Sequence, residues 1–198
     1  MPDKWRDSAL ELIGDQSTLT LATADASGPW SAPVYFVFID GRFYFFSSPE
    51  SRHIQQAVLT GQVAELAGYA EVRSEVRMGA RSRVDLMLQD DKRGSCHVEI
   101  KNCTMVKNGR AYFPDAVTTR GLKHLHELAA RVSKRNRSVM FYLIQRMDAE
   151  EFRPADHIDP AYGKGLRQAV AQGVEILAYD VHIDRRGIRL NQRRPCRL

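Results

Sequence analysis

SRVDLMLQDDKRGSCHVEIKN, residues 82–102, decides the fold because it holds two apolar runs joined by a polar turn. Asp85 opens the first run, and Glu99 and Lys101 lie two residues apart in the second. Side chains two apart on a strand point to the same side of a sheet, so Glu99 and Lys101 share a face. We expect a β-hairpin that places Asp85 on the strand beside them.

An acid on each of two neighbouring strands indicates a candidate metal site. Close carboxylates repel, and a divalent cation such as Mg²⁺ relieves the repulsion while keeping waters and phosphate oxygens as further ligands. Asp85 and Glu99 are therefore predicted metal ligands, and Lys101 is predicted to orient a water or stabilise charge on a phosphate. A solvated Glu–Lys pair is the alternative interpretation. Asp85, Glu99 and Lys101 lie among apolar residues, which favours the catalytic interpretation.

Composition predicts an ordinary globular chain. Its 198 residues suit one domain with at most a short appendage, and 43% of them are hydrophobic and 27% charged. No apolar run reaches the roughly 20 residues that span a bilayer, and the N-terminus lacks the pattern of a signal peptide. Three cysteines without C-x-x-C spacing favour free thiols. We therefore expect a cytoplasmic protein without a membrane partner.

The positive charge is unevenly distributed. The chain carries a net charge of +5, with −3 in residues 1–56 and +8 in the remainder, including six arginines after Asp184. A basic domain attracts phosphates, which favours DNA as the partner and leaves RNA open; a solubilising arginine-rich face is the alternative. The candidate nucleic-acid contacts are Arg81, Arg83, Arg120, Lys123 and His124, with the arginine tail as a further one.

The order of predicted elements indicates an α/β fold. In the first third we expect a helix over 5–14, a strand over 17–24, an aromatic hairpin over 32–48 and a helix over 49–68. The later elements are strands 71–78, 84–89, 96–102, 138–146 and 174–183, with helices over 118–136 and 159–173. This order of three strands, helix, strand, helix, strand predicts a mixed sheet with crossover helices.

Residues 57–198 resemble the C-terminal domain of the sugar fermentation stimulation protein (SfsA) family. The matching stretches are ELAGYAEVRSEVRMGARSRVDLML, CHVEIKNCTM, AYFPDAVTTRGLKHLHEL and GVEILAYDVHI. The resemblance implies a PD-(D/E)XK nuclease-like core and DNA binding. Carried over onto this sequence, it implies that Asp85 and Glu99 are the metal-ligand acids and Lys101 the catalytic lysine.

Residues 1–56 do not look like the OB-like domain that precedes this core in intact members. The stretch LTLATADASGPWSAPVYFVFIDGRFYFFSSPESRH instead resembles the opening of an FMN-binding split barrel of the pyridoxamine phosphate oxidase type. That resemblance would assign Ser48, Ser51 and Arg52 to the flavin phosphate. It stops near Gln56, halfway to a closed barrel, so we predict a partial β segment without bound FMN. Its open strand edges favour a homo-oligomer.

Three functional hypotheses follow. The first is a DNA-binding protein with a Mg²⁺-dependent phosphodiesterase site, and the second is the same fold binding DNA without cleaving it. The third is a flavoprotein, which a colourless purified sample would exclude. Of the first two, we favour binding over cleavage, and the sequence leaves open whether the chain is an enzyme.

Overall fold

The computed structural model describes residues 3–14, 18–25, 28–39, 41–45, 54, 57–77, 82–184 and 187–198. The chain divides into two compact units. The first comprises residues 1–48 with 185–187, and the second residues 49–184 with 188–198. Among the described residues, no helix is both long and apolar enough to cross a membrane.

The N-terminal unit contains a helix and a three-stranded antiparallel sheet of order β1-β2-β3. Its elements are helix α1 (Asp3–Gly14) and strands β1 (Thr18–Asp25), β2 (Gly28–Ile39) and β3 (Arg42–Phe45). The predicted helix, strand and hairpin are confirmed, although the hairpin begins earlier than predicted. The Phe43 ring lies 5.2 Å from that of Phe36 and 4.8 Å from that of Phe38, so aromatic packing supports the hairpin.

The second unit is built on a six-stranded mixed sheet of order β12-β11-β9-β6-β5-β4. Its strands are β4 (Glu71–Arg77), β5 (Arg83–Asp90), β6 (Gly94–Cys103), β9 (Asn136–Ile144), β11 (Glu175–Asp184) and β12 (Gly187–Arg193). Strands β4, β5 and β6 are antiparallel neighbours, while β6, β9 and β11 run parallel. The predicted α/β class and mixed sheet are confirmed. Strand β12 was not predicted.

A second, smaller sheet has the order β10-β8-β7. Its strands are β7 (Met105–Lys107), β8 (Arg110–Phe113) and β10 (Glu151–Pro154). Strand β8 pairs antiparallel with β7 and parallel with β10. Strands of three or four residues are too short to produce a readable alternation, which is why the sequence did not predict this sheet.

Two helices cover one face of the large sheet: α2 (Thr119–Ala129) and α3 (Pro160–Ala171). They share a buried core with β9 and β11 that includes Leu125, Tyr142 and Leu166. The prediction that α2 continues to residue 136 is wrong. The chain turns after Ala129, and Asn136 already pairs with Ser133 and begins β9.

The segment that precedes β4 is only partly helical. Residues 57–59 are helical, a 3₁₀ turn spans Ala64–Leu66, and part of the predicted helix over 49–68 lies outside the described residues. The carbonyl of Glu65 accepts from Arg137 at the start of β9, and its carboxylate accepts from the Tyr179 hydroxyl on β11. These contacts place the segment against the sheet face opposite α2 and α3, because Arg137 and Tyr179 alternate with residues that face the helices.

Candidate functional site

The alternation of β6 brings Glu99 and Lys101 to the face covered by α2. Lys101 Nζ donates to Glu99 Oε1 over 2.7 Å, which confirms the predicted shared face. Glu99 is 2% exposed, while the Lys101 side chain keeps 18% of its surface in solvent. A buried carboxylate with a partly exposed ammonium differs from the solvated pair that was the alternative interpretation.

Asp85 approaches this pair from the neighbouring strand. Strands β5 and β6 pair with Leu86 opposite Val98, so continuing the register places Asp85 opposite Glu99. Asp85 Oδ2 accepts from the backbone N–H of Ile100 over 2.6 Å. Since Ile100 lies between Glu99 and Lys101, all three predicted residues meet within one small region of the sheet.

His124 joins the site from α2. Its Nδ1 hydrogen bonds with Glu99 Oε1, and because an ionised carboxylate only accepts, Nδ1 must carry the hydrogen. His124 is 6% exposed and lies in the interior beside Glu99, and its contact with nucleic acid remains a prediction. Helical spacing could have indicated this, because His124 continues the buried stripe of Gly121, Leu125 and Leu128.

The environment of Glu99 favours its charged form. Burial raises the pKa of this carboxyl, but the hydrogen bond from His124 and the nearby ammonium of Lys101 outweigh burial and hold it below its usual range. Both partners contact Oε1. Oε2 is buried and has no hydrogen-bond partner among the described residues. Among the described residues, the carboxylate is therefore anchored through Oε1 alone.

The start of α3 fixes the position of α2. Asp159 caps α3 by accepting from the N–H of Tyr162 over 2.9 Å, and its other oxygen accepts from the N–H of Thr118, the cap of α2, over 2.9 Å. The Tyr162 hydroxyl lies 2.6 Å from that of Tyr142. Burial raises the pKa of Tyr162, and the negative charge of Glu99 adds to this effect. The sequence predicted a helix over 159–173 but not the second contact that Asp159 makes with Thr118.

The remaining predicted nucleic-acid contacts lie at the surface where they are described. Arg83, Arg120 and Lys123 are exposed, and Lys123 Nζ lies 3.6 Å from Glu127 Oε1 on the same helix. Arg81 lies outside the described residues. Exposure permits contact with a phosphate but does not test it, so the roles of these side chains remain predictions.

Several arginines of the C-terminal tail have internal partners. Arg194 donates to the buried Asp180 carboxylate over 2.6 Å and Arg193 lies 2.9 Å from a Glu65 oxygen. Arg197 lies 3.9 Å from Glu151. These three arginines therefore have carboxylate partners within the fold, and the contact of the tail with phosphates remains a prediction.

Most of the second unit matches a known protein family. Residues 49–187 match the family model described as "Sugar fermentation stimulation protein RE domain". The chain belongs to the sugar fermentation stimulation protein (SfsA) family. The resemblance predicted from the sequence is confirmed.

Curated SfsA relatives are similar to this chain over about three quarters of its length. The Nitrosococcus oceani sugar fermentation stimulation protein homolog is 51% identical over 147 residues, which are 73% of this chain and 63% of that protein. The Geobacter sulfurreducens homolog is 50% identical over 145 residues, which are 73% and 62% of the two chains. The match thus spans less than two thirds of the relatives' own length.

A solved SfsA structure has the same fold. The structure of Pyrococcus furiosus SfsA in complex with Ca²⁺ superposes with a TM-score of 0.75, covering 91% of this chain and 78% of that chain at 23% sequence identity. Identity at this level supports the fold and not the function. The predicted flavin contacts Ser48, Ser51 and Arg52 lie outside the described residues, so the absence of FMN and the boundary near residue 56 remain predictions.

Proposed function

We propose that this chain is a DNA-binding protein with a Mg²⁺-dependent phosphodiesterase site formed by Asp85, Glu99 and Lys101. The observation that carries the proposal is Glu99 Oε2, a buried carboxylate oxygen without a partner among the described residues. Asp85 lies on the adjacent strand, where its Oδ2 accepts from the backbone N–H of Ile100, the residue after Glu99. Two carboxylates suit Mg²⁺, which completes its ligand set with waters and phosphate oxygens.

The donor set fits a cation shared with a substrate. No group of three or more His, Cys, Asp or Glu side chains in the described part of the chain forms a closed metal site. Asp85 and Glu99 would hold the ion, leaving its other positions to water and phosphate. The ion would neutralise phosphate charge and acidify a bound water. The solved SfsA relative is a complex with Ca²⁺, another hard cation that takes oxygen ligands.

The neighbouring side chains would act on the phosphate and on Glu99. Hydrolysis bonds a water oxygen to phosphorus and breaks one P–O bond, and the leaving oxygen takes up a proton. The Lys101 ammonium, which is partly exposed, would orient that water or stabilise charge on the phosphate. His124 hydrogen bonds to Glu99 Oε1 and would hold the carboxylate in position, while Oε2 has no hydrogen-bond partner among the described residues.

Cleavage of labelled duplex DNA tests the proposal. Wild type with Mg²⁺ should cut the duplex, EDTA should stop it, and Lys101→Ala should abolish cutting while binding persists. The control is Lys107→Ala, which removes an exposed lysine at the end of β7 and should leave cutting unchanged. Cutting by Lys101→Ala at the wild-type rate would refute the assigned role.

Binding without turnover is the second candidate function. Lys101 pairs with Glu99 Oε1 and His124 hydrogen bonds to the same oxygen, so groups of the protein itself already hold this carboxylate. In that case the duplex should shift on a gel, dissociate as salt rises and stay intact with Mg²⁺. Competition by RNA of the same length would decide between the two nucleic acids. If neither DNA nor RNA bound to the protein, both candidates would be contradicted.

A further inference from the structure

Two surface loops meet at the end of the large sheet where β6 and β9 begin. The N–H of Ser95 donates to the carbonyl of Arg135 over 3.0 Å, and the Ser95 hydroxyl donates to the Asn136 side chain over 2.7 Å. The approach is so close that a Cβ on Gly94 would lie 2.0 Å from the Arg135 oxygen. The β5–β6 turn and the loop before β9 therefore form one continuous surface.

This surface carries four exposed cations. We call it the basic loop pair, and its members are Lys92, Arg93, Lys134 and Arg135. Many other arginines of the second unit pair with carboxylates, as Arg137 does with Glu175 over 2.7 Å. Within the described part of the chain, none of the four cations lies within ion-pair distance of a carboxylate. Their charge is therefore available to a ligand.

The two arginines are held in place by neutral groups. Arg93 Nη1 donates to the Ala67 carbonyl over 2.7 Å, with its guanidinium 5.7 Å from the centre of the Tyr69 ring. Arg135 Nη2 donates to the Asp91 carbonyl over 3.0 Å. These contacts fix the guanidinium groups without neutralising them, which lowers the entropy lost when they bind an anion.

Two acids lie in the same turn and reduce the charge. Asp90 Oδ1 accepts from the backbone N–H groups of Lys92 and Arg93 over 2.9 and 3.0 Å, so its carboxylate is engaged with the turn itself. Asp91 is exposed. Four cations against these two acids still leave a positive surface.

We propose that the basic loop pair binds the phosphate backbone of the same nucleic acid that enters the Glu99 site, an inference that rests on the proposed function. Glu99 is five residues along β6 from Gly94, a separation of about 17 Å at the rise of a strand. Phosphates of one DNA strand advance about 3.4 Å per nucleotide along the duplex axis. Measured along β6, the distance between the loop pair and Glu99 therefore corresponds to about five nucleotides of one DNA strand.

Salt dependence of binding tests this contact. The variant Lys92→Gln/Lys134→Gln removes two lysines whose side chains make no hydrogen bond within the described part of the chain. The control Lys107→Gln/Lys164→Gln removes two other exposed lysines. The probe is a duplex of about 20 base pairs, long enough to reach both surfaces. Affinity is measured by fluorescence anisotropy over a KCl series, with and without Mg²⁺, and duplex integrity is checked on a gel.

The loop-pair variant should lower the slope of log affinity against log salt by about 2, one for each lost phosphate contact. That change corresponds to a roughly tenfold smaller loss of affinity between 50 and 200 mM salt. The control pair should keep the wild-type slope, and circular dichroism should be unchanged in both variants.

Each outcome has a separate meaning. If wild type binds and both variants share its slope, the basic loop pair does not contact DNA and the inference fails. If polyglutamate binds more weakly to the loop-pair variant while DNA does not, the surface serves an acidic protein and the inference also fails. If wild type binds no duplex at any salt concentration, the proposed function itself fails.

Discussion

At the scale of the residue, Glu99 explains why charged side chains occupy an apolar strand. Burial alone would favour its protonated form, yet Lys101 and His124 hold it ionised through one oxygen. An ionised buried acid with one oxygen free suits cation binding better than structural pairing, which would engage both oxygens. The two partners come from different elements, so the fold is required to assemble the site.

Substitution of His124 tests how Glu99 is held. His124→Leu removes the donor to a buried carboxylate and should lower the free energy of unfolding by about 1–3 kcal/mol. His124→Asn can donate through its amide and should recover part of this loss. The matched control is His126→Leu on the exposed side of the same helix, which should stay within about 0.5 kcal/mol of wild type. Urea denaturation measures all three, and equal losses for His124→Leu and His126→Leu would contradict the contact.

The buried thiol of Cys96 should make the stability of the fold depend on pH in the alkaline range. Burial raises the pKa of this thiol from 9.0 to about 11. A raised pKa in the folded state means that the stabilisation is present below pH 9 and is lost as pH rises towards 11. The loss amounts to roughly 3 kcal/mol at most. Urea denaturation between pH 8 and about 11 should show wild type losing stability faster than Cys96→Ala; parallel curves would contradict this assignment.

At the scale of the element, close backbone contacts join the loops at the start of β6 and β9. Gly94 has φ +80° and Gly61 has φ +73°, so both backbones favour glycine. They differ in their surroundings, because a Cβ on Gly94 would meet the Arg135 carbonyl and one on Gly61 would meet nothing within 4 Å. Substituting each of these two glycines by alanine therefore separates the effect of backbone conformation on stability from the effect of packing.

We expect Gly61→Ala to lower the free energy of unfolding by about 1–2 kcal/mol through its backbone conformation alone. Gly94→Ala should cost a further ~1–3 kcal/mol, because the Arg135 loop must move. Chemical denaturation of the two variants under identical conditions gives the comparison. Equal destabilisation would mean that the two loops do not meet as described.

The sequence correctly predicted the elements whose hydrophobic pattern extends over many residues. It did not predict contacts that depend on a single residue. Alternation along 96–102 placed Glu99 and Lys101 on one face, and the hairpin turn placed Asp85 beside them. The small sheet was missed because its strands are three or four residues long. The double role of Asp159 was missed because a cap residue indicates its own helix but not the second helix that it also holds.

At the scale of the whole molecule, the C-terminal segment joins the two sheets of the second unit. The N–H of Arg194 donates to Ala178 on β11 of the large sheet over 2.7 Å. Phe152 on β10 of the small sheet donates its N–H to Pro195 over 2.9 Å and accepts from Arg197 over 2.9 Å. The C-terminal segment thus links the two sheets, and the ion pair between Arg194 and the buried Asp180 holds it in place.

Breaking this ion pair should destabilise the second unit. Arg194→Leu leaves the Asp180 carboxylate buried without its charged partner and should cost about 3–5 kcal/mol. Asp180→Asn/Arg194→Leu removes the charge as well and should recover part of that loss. Arg193→Leu, the neighbouring control at an exposed pair, should cost at most about 1 kcal/mol. A cost for Arg194→Leu no larger than that of the control would show that the tail does not anchor the unit.

The most direct measurement is a Mg²⁺ titration of wild type and Glu99→Gln with labelled duplex present. Glu71→Gln serves as the control, since Glu71 is an exposed acid on β4 that pairs with Arg73. We predict that rising Mg²⁺ saturably increases duplex cleavage by wild type and Glu71→Gln and has no such effect on Glu99→Gln. A Glu99→Gln curve that overlays the wild-type curve, or a wild type indifferent to Mg²⁺, would contradict a cation–phosphate site at Glu99.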